Sequence, residues 1–186
     1  ADEVLDYLAE LAKTKIVELE LGIESCDDAT LLRVNRGHDF AETQDAVRRA
    51  AARGLQVGGH LMFGLPGESR DSMLEGAAKL SALPFASLKF HQLQIIKGTM
   101  LANEWRRDPA SVPLLSAQDY LELLADFLER LSPDIAIQRV GSEVPPNLTW
   151  NVVNLGAALG GYVALIVFYF LVVVALIGGL PTSGEA

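Results

Sequence analysis

His60-Leu61-Met62-Phe63-Gly64-Leu65-Pro66-Gly67-Glu68-Ser69 is an apolar run that ends in two glycines and a proline. An acidic residue, a serine and a helix-like segment follow. A strand that finishes in this way gives up side chains and exposes backbone. Its upstream part, LQVGGHLMF (Leu55–Phe63), reads as a strand, and the segment from Arg70 to Leu83 reads as a helix. The stretch is therefore a β-turn-α unit, and its turn lies at the carboxyl end of a strand, where parallel sheets hold their ligands.

The same alternation continues on both sides. Upstream, DEVLDYLAELAKT (Asp2–Thr14) has helical spacing at Val4, Leu5, Leu8 and Leu11, and IVELELGI (Ile16–Ile23) alternates as a strand. Asp27 to Asn35 forms a short helix with Asp27 as N-cap, and Asp39 to Gly54 a longer one closed by Gly54. Downstream, Ser87–Ile95 is a strand, Ser116–Pro133 a helix and Ile135–Val140 a last strand. Alternating strands and helices predict βα units around a parallel sheet. Four strands suit either an open doubly wound sheet or part of a (βα) barrel, which closes with about eight.

Composition divides the 186 residues. From Ala1 to Leu148 the chain is mixed and charged, which predicts a globular domain over 1–148. From Leu155 to Leu180 there is no charged residue, and the run exceeds the roughly 20 apolar residues that span a bilayer. A transmembrane helix is expected over 155–180, after a linker at 149–154 and before a short tail at 181–186. A fully buried helix is the other reading of that run. Arg130 and Arg139 precede it and no basic residue follows, so the chain is expected to be membrane-anchored with its globular part cytoplasmic. The net charge of −9 excludes a nucleic-acid surface built on bulk charge. The single cysteine, Cys26, excludes an intrachain disulfide, and one thiolate cannot alone hold zinc or an iron–sulfur cluster.

Polar groups gather at the strand ends. The first strand runs into Glu24-Ser25-Cys26, the second into the Gly64–Gly67 turn, and the third carries His91, Gln92 and Gln94 before Lys97-Gly98-Thr99. Taken singly, each has a plain reading: a helix cap, a tight turn, a structural histidine. In register at one rim of a parallel sheet, they form a candidate ligand site.

Three stretches in this order, ELGIESCDDATLLRVNRGHDF (Glu20–Phe40), HLMFGLPGES (His60–Ser69) and KFHQLQIIKGT (Lys89–Thr99), resemble radical S-adenosylmethionine (radical SAM) proteins. The nearest resemblance is to a bacterial group related to the Elongator catalytic subunit and to the oxygen-independent coproporphyrinogen dehydrogenases. It extends from about Asp2 through RVGSEVPPNL (Arg139–Leu148). The resemblance implies an α/β fold, an incomplete (βα) barrel with SAM across the strand tips and a [4Fe–4S] cluster at one end. It places the Gly64–Gly67 turn (Gly64, Leu65, Pro66, Gly67) at the adenine with Met62 beside it, Glu24 near the ribose hydroxyls, and Ser25 among the SAM-binding residues. Arg36 would pair with the SAM carboxylate and His60 would lie near ribose or adenine. Gln92 and Gln94 would line the same site. His38 and Lys97 are further candidates, equally readable as surface residues.

The sequence departs from the family pattern in two ways. The three-cysteine motif that holds the cluster is not in it, and Cys26 follows the wrong strand for that role. The chain is therefore read as the carboxyl-terminal part of a radical SAM protein. A missing amino-terminal half is an expected partner, alongside SAM and an unidentified substrate, RNA or a small molecule. The apolar run at 155–180 is the second departure and implies contact with a lipid bilayer. Two alternatives stay open. One is a membrane-tethered, cluster-free ligand-binding module. The other is a non-radical α/β-barrel lyase with Lys89 or Lys97 as Schiff-base nucleophile.

Overall fold

In the computed structural model, residues 2–142, 144–145 and 147–150 are described. The expected transmembrane helix at 155–180, the tail at 181–186 and most of the linker lie outside the described residues. Among those described, no helix is long and apolar enough to cross a membrane.

Eleven elements follow in chain order: α1 (Asp2–Ala12), β1 (Glu18–Glu24), α2 (Asp28–Arg33), α3 (Phe40–Ala51), β2 (Gln56–Phe63), α4 (Arg70–Ser81), β3 (Ser87–Gln92), α5 (Met100–Arg107), a 3-10 turn (Pro109–Ser111), α6 (Ala117–Leu128) and β4 (Ala136–Arg139). The four strands are parallel and stand in the order β1-β2-β3-β4. A strand–crossover–strand connection is right-handed. With sequential order, each connection then falls on the same face. That is barrel winding, and it decides against the doubly wound sheet, whose order reverses at a switch point.

The strands accordingly have a dry face and a polar face. On β2, Val57, Leu61 and Phe63 are buried against helices, whereas Gly58, His60 and Met62 point the other way. Phe63 stacks on Phe90 of β3 at 5.4 Å between ring centroids, and both rings pack on Phe127 of α6, at 5.2 and 5.4 Å. Each such ring removed from water contributes about 1.5–3 kcal/mol. Tyr120 is also fully buried, and its hydroxyl donates to the Val140 carbonyl at 2.6 Å, which fixes the chain leaving β4.

Caps set the helix starts. Asp27, Asp39, Ser69, Thr99 and Ser116 each accept from a backbone N–H of the first turn, and Asp39 with Glu42 completes a capping box. Several expected bounds need correction, among them the helix begun at Ser116, which ends at Leu128 and not at Pro133. The helix begun at Asp39 ends at Ala51, because Gly54 lies in a turn at φ +77° beyond it. Strand β3 stops at Gln92 rather than Ile95, where β2 has ended and no longer offers a ladder. Helix α5 was not foreseen, although Thr99 carries its N-cap signal. Thr149 and Trp150, expected in the linker, are tied to this domain: the Thr149 hydroxyl and the Trp150 N–H both donate to the Ile95 carbonyl.

Gly59 on the dry face has no room for a side chain. A Cβ there would lie 2.5 Å from Ile23 Cδ1, 2.9 Å from Leu88 Cδ2 and 3.0 Å from Phe85 Cε1. Gly59→Ala is expected to destabilise the domain by about 1–3 kcal/mol through overpacking. Chemical denaturation checks this: the midpoint should fall with an unchanged slope, and an unmoved midpoint would contradict the packing described.

Candidate functional site

The polar face of the sheet is ordered by register. Gly22 pairs with His60, His60 with Lys89, and Lys89 with Arg139, so one row crosses all four strands. The row below it contains Glu20, Gly58 and Ser87. Glu20 bridges the strands, accepting from Lys89 Nζ and lying 2.9 Å from His60 Nε2. These bonds, Lys89 first and His60 second, hold its carboxyl below the usual range. Glycines at positions 22 and 58 leave the face without bulk above β1 and β2.

Above this row, at the carboxyl ends, β1 breaks register between Gly22 and Glu24, and Glu24 takes φ +65°. That left-handed turn is uncommon for a residue with a side chain and costs strain. It sends Glu24 to within 3.7 Å of Arg36 Nη2. Arg36 donates from Nη2 to the Gly22 carbonyl at 2.6 Å. Its Nε is buried with no hydrogen-bond partner among the described residues. An unpaired buried donor costs about 1–3 kcal/mol, so an acceptor from a ligand would relieve it. A cavity of about 220 Å³ opens beside the Arg36 side chain at the β1 edge, lined by Glu20, Leu21, Gly22 and His38 and, from α3, by Glu42, Thr43 and Ala46. At Gly22 a Cβ would stand 2.5 Å from Arg36 Nη2 and 2.7 Å from Glu24 Oε1, so a side chain there would displace the ends of those two residues.

Ser25 is buried and engaged on both sides. Its hydroxyl donates to Glu68 at 2.6 Å and accepts from the Asp27 N–H at 3.0 Å. This bond fastens the end of β1 to the turn after β2. In that turn the Glu68 N–H donates to the Leu65 carbonyl, with Pro66 at the second position and Gly67 at φ +92° in the third. That is a type II turn, and it explains the Pro-Gly pair. Gly64, at φ +87°, donates its N–H to Met73 Sδ, and Leu65 and Pro66 are buried. Gly67 is the exposed glycine. Met62 packs beside the small apolar cluster of Leu65, Leu93, Ile95, Ala102 and Val112.

Gln92 and Gln94 turn out to be clamps. Both side-chain amides donate to the Ser142 carbonyl. Gln92 Oε1 accepts from the Ser142 N–H and Gln94 Oε1 from the Val144 N–H. Their polar atoms are thus spent on the chain after β4. Ser142, so fixed, sets its hydroxyl 2.7 Å from His91 Nδ1. His91 faces His60 at 5.5 Å between ring centroids. Burial, then the charges of His60, Arg139 and Lys89, pushes the His91 pKa below its ordinary value. The sequence reading missed Glu20, Arg139 and Ser142 as site residues. A signal existed for the first, because Glu18/Glu20 and Lys89/His91 place polar groups at every second position. The other two depend on pairing across strands.

Of the remaining candidates, His38 lines the cavity. Lys97 donates to the Asn147 carbonyl and lies over the Trp150 ring. Lys89 is held by Glu20. Neither amine stands free to attack a carbonyl, which weakens the lyase alternative. The residues do not fit an iron–sulfur cluster. Cys26 is buried, its thiol is pushed up to about 12 by that burial, and it is the sole cysteine of the sequence. Cluster iron takes thiolates, usually four or three of them. Among the described residues, no group of His, Cys, Asp and Glu side chains is arranged to hold a metal.

Residues 1–80 match the model of the radical SAM superfamily, and residues 85–160 that of the Radical_SAM C-terminal domain. The chain is 34% identical over 147 residues to the uncharacterized protein YtqA of Bacillus subtilis, covering 79% of this chain and 45% of that one. It is 38% identical over 146 residues to an uncharacterized protein of Methanocaldococcus jannaschii, covering 77% and 44%. The chain thus spans less than half the length of these relatives. Among solved structures, archaeal Methanocaldococcus infernus Elp3 with an amino-terminal deletion superposes with a TM-score of 0.70 at 22% identity, over 85% of this chain and 39% of that one. The α/β parallel sheet is therefore of the kind seen in radical SAM structures.

The burial of Glu68, which its bond from Ser25 opposes only in part, carries a testable signature. Burial raises the Glu68 carboxyl from 4.5 to about 7. The folded state then binds more protons than the unfolded state between those values. Its contribution to stability is full below the unfolded pKa and is lost as pH rises through about 7. Stability should fall over that window with a slope of up to about 1.4 kcal/mol per pH unit, and Glu68→Gln should flatten it. Denaturation midpoints measured across the window decide this, and an unchanged profile in the variant would contradict the assignment.

Proposed function

The chain carries radical SAM superfamily and Radical_SAM C-terminal domain sequence, and from that premise we propose that it supplies the SAM-facing strand ends of a radical SAM enzyme. The observation that carries the proposal is Arg36, whose buried Nε lacks a partner beside the carboxyl end of β1, with a cavity next to its side chain at the β1 edge. A guanidinium with a free N–H suits a carboxylate, which it grips with directed, charge-assisted bonds. Arg36 binds the carboxylate of SAM, Glu24 accepts from ribose hydroxyls, and His60 and Met62 flank the adenosine. The Gly64–Gly67 turn offers its exposed end, Gly67, to the adenine edge. Gln92 and Gln94 act one step removed, by holding Ser142 and through it His91.

The cluster belongs to protein outside the 186 residues, since one buried thiol cannot ligate it. When SAM and cluster are together, they supply one-electron chemistry. This chain's residues bind and orient SAM and shield it from water. The same reading places the globular part as one component of a larger unit, with substrate contributed to by both components.

Two measurements test this. Calorimetric titration of SAM into the full chain should yield binding that Arg36→Gln weakens by about tenfold or more, the loss expected for one charge-assisted contact. Arg36→Lys, which keeps the charge but loses the fork, should recover only part of it. Equal affinity in all three proteins would contradict the role. Anaerobic reconstitution with iron and sulfide should leave no stoichiometric cluster on the chain, and about four irons per chain would overturn that half of the proposal.

A further inference from the structure

Beyond His60, the row that crosses the polar face carries charges that the proposed binding of SAM does not use. His60, Lys89 and Arg139 stand side by side on β2, β3 and β4, with His91 one step nearer the strand ends. Neighbouring strands are about 4.8 Å apart, so these side chains reach one common space above the sheet. The groups facing that space are Glu20 from β1, His60 from β2, Lys89 and His91 from β3, Arg139 from β4 and the Ser142 hydroxyl. Glu18 is occupied elsewhere, accepting from Ser87 and Gln138. Glu20 compensates Lys89 and reaches His60. Nothing compensates Arg139 among the described residues, and it is exposed. One fixed positive charge is therefore left over, next to the imidazoles of His60 and His91.

We infer that Lys89, His91 and Arg139, with His60 at their border toward SAM, form a subsite for an anionic group of the substrate, a carboxylate or a phosphate. Arg139 supplies the fork that such a planar or tetrahedral anion takes. His91 supplies an N–H whose orientation is set by Ser142, itself clamped by Gln92 and Gln94. Burial comes first in holding the His91 pKa down, and after it come the charges of His60, Arg139 and Lys89, which an anion would neutralise. Glu20 is the counter-charge that keeps Lys89 and His60 in place while the subsite is empty. The inference rests on the polar face being the reacting side of the proposed SAM site.

The chain has three histidines, so their imidazole proton resonances are resolvable as a set. In the full chain, titration with inorganic phosphate, and separately with succinate, should shift His91 and His60 and raise the pH midpoint of His91, while His38 stays in place. A response to phosphate alone assigns the phosphate class, and a response to succinate assigns the carboxylate class. Arg139→Gln, a surface change, should weaken the response by about tenfold. Lys89→Met, tested beside it, should weaken it as well. No shift of His91 with either anion, or a shift of equal affinity in Arg139→Gln, overturns the subsite. SAM affinity is measured on the same samples. Anion binding without any SAM binding would retire the functional reading and leave the subsite standing. SAM binding without an anion response would do the reverse.

Discussion

The packing of Phe63 and Phe90 on Phe127 fixes which side of the sheet is dry. With period-2 alternation, that choice sends His60 and Met62 of β2, and Lys89 and His91 of β3, to the opposite side. A one-residue slip of either strand would bury Lys89 and His60 among the aromatic rings and expose Phe63 and Phe90. The aromatic cluster is thus also what holds the polar row together. The sequential strand order completes the effect, since α3, α4 and α6 of the crossovers lie over the aromatic side, while α5 packs at the carboxyl rim near Met62.

The carboxyl ends are joined by specific bonds rather than by apolar burial. Ser25 fastens the end of β1 to Glu68 beyond β2. Gln92 and Gln94 fasten the end of β3 to the chain after β4. These bonds make a rigid rim from segments that the ladder no longer pairs. Within that rim the stored costs are local: Glu24 at positive φ and Arg36 Nε without a partner. Both lie where the family resemblance places SAM, and strain of this kind persists only where surrounding contacts over-determine it.

Much of the fold was legible from alternation and caps. The β2-turn-α4 unit, the four strands and the Asp27 N-cap follow from local chemistry, and the structure reproduces them. The choice between barrel and doubly wound order was not legible, because strand order depends on pairing and not on any one segment. At the candidate site, the turn and Arg36 stand in the sequence as motifs. The hydrogen-bond partners of Gln92 and Gln94 do not, because they are backbone groups about fifty residues away. Ser25 followed the same rule: its partner Glu68 belongs to another βα unit. Arg139 and Glu20 became site residues only through cross-strand register.

The central claim is that the polar face and its carboxyl rim receive SAM through Arg36. A crystal structure of the full chain with SAM bound tests it most directly. The account predicts the SAM carboxylate within hydrogen-bond distance of the Arg36 guanidinium, with Nε no longer unpartnered and the adenosine beside His60 and Met62. SAM on the helical side, or Arg36 still turned only to the Gly22 carbonyl, would contradict it.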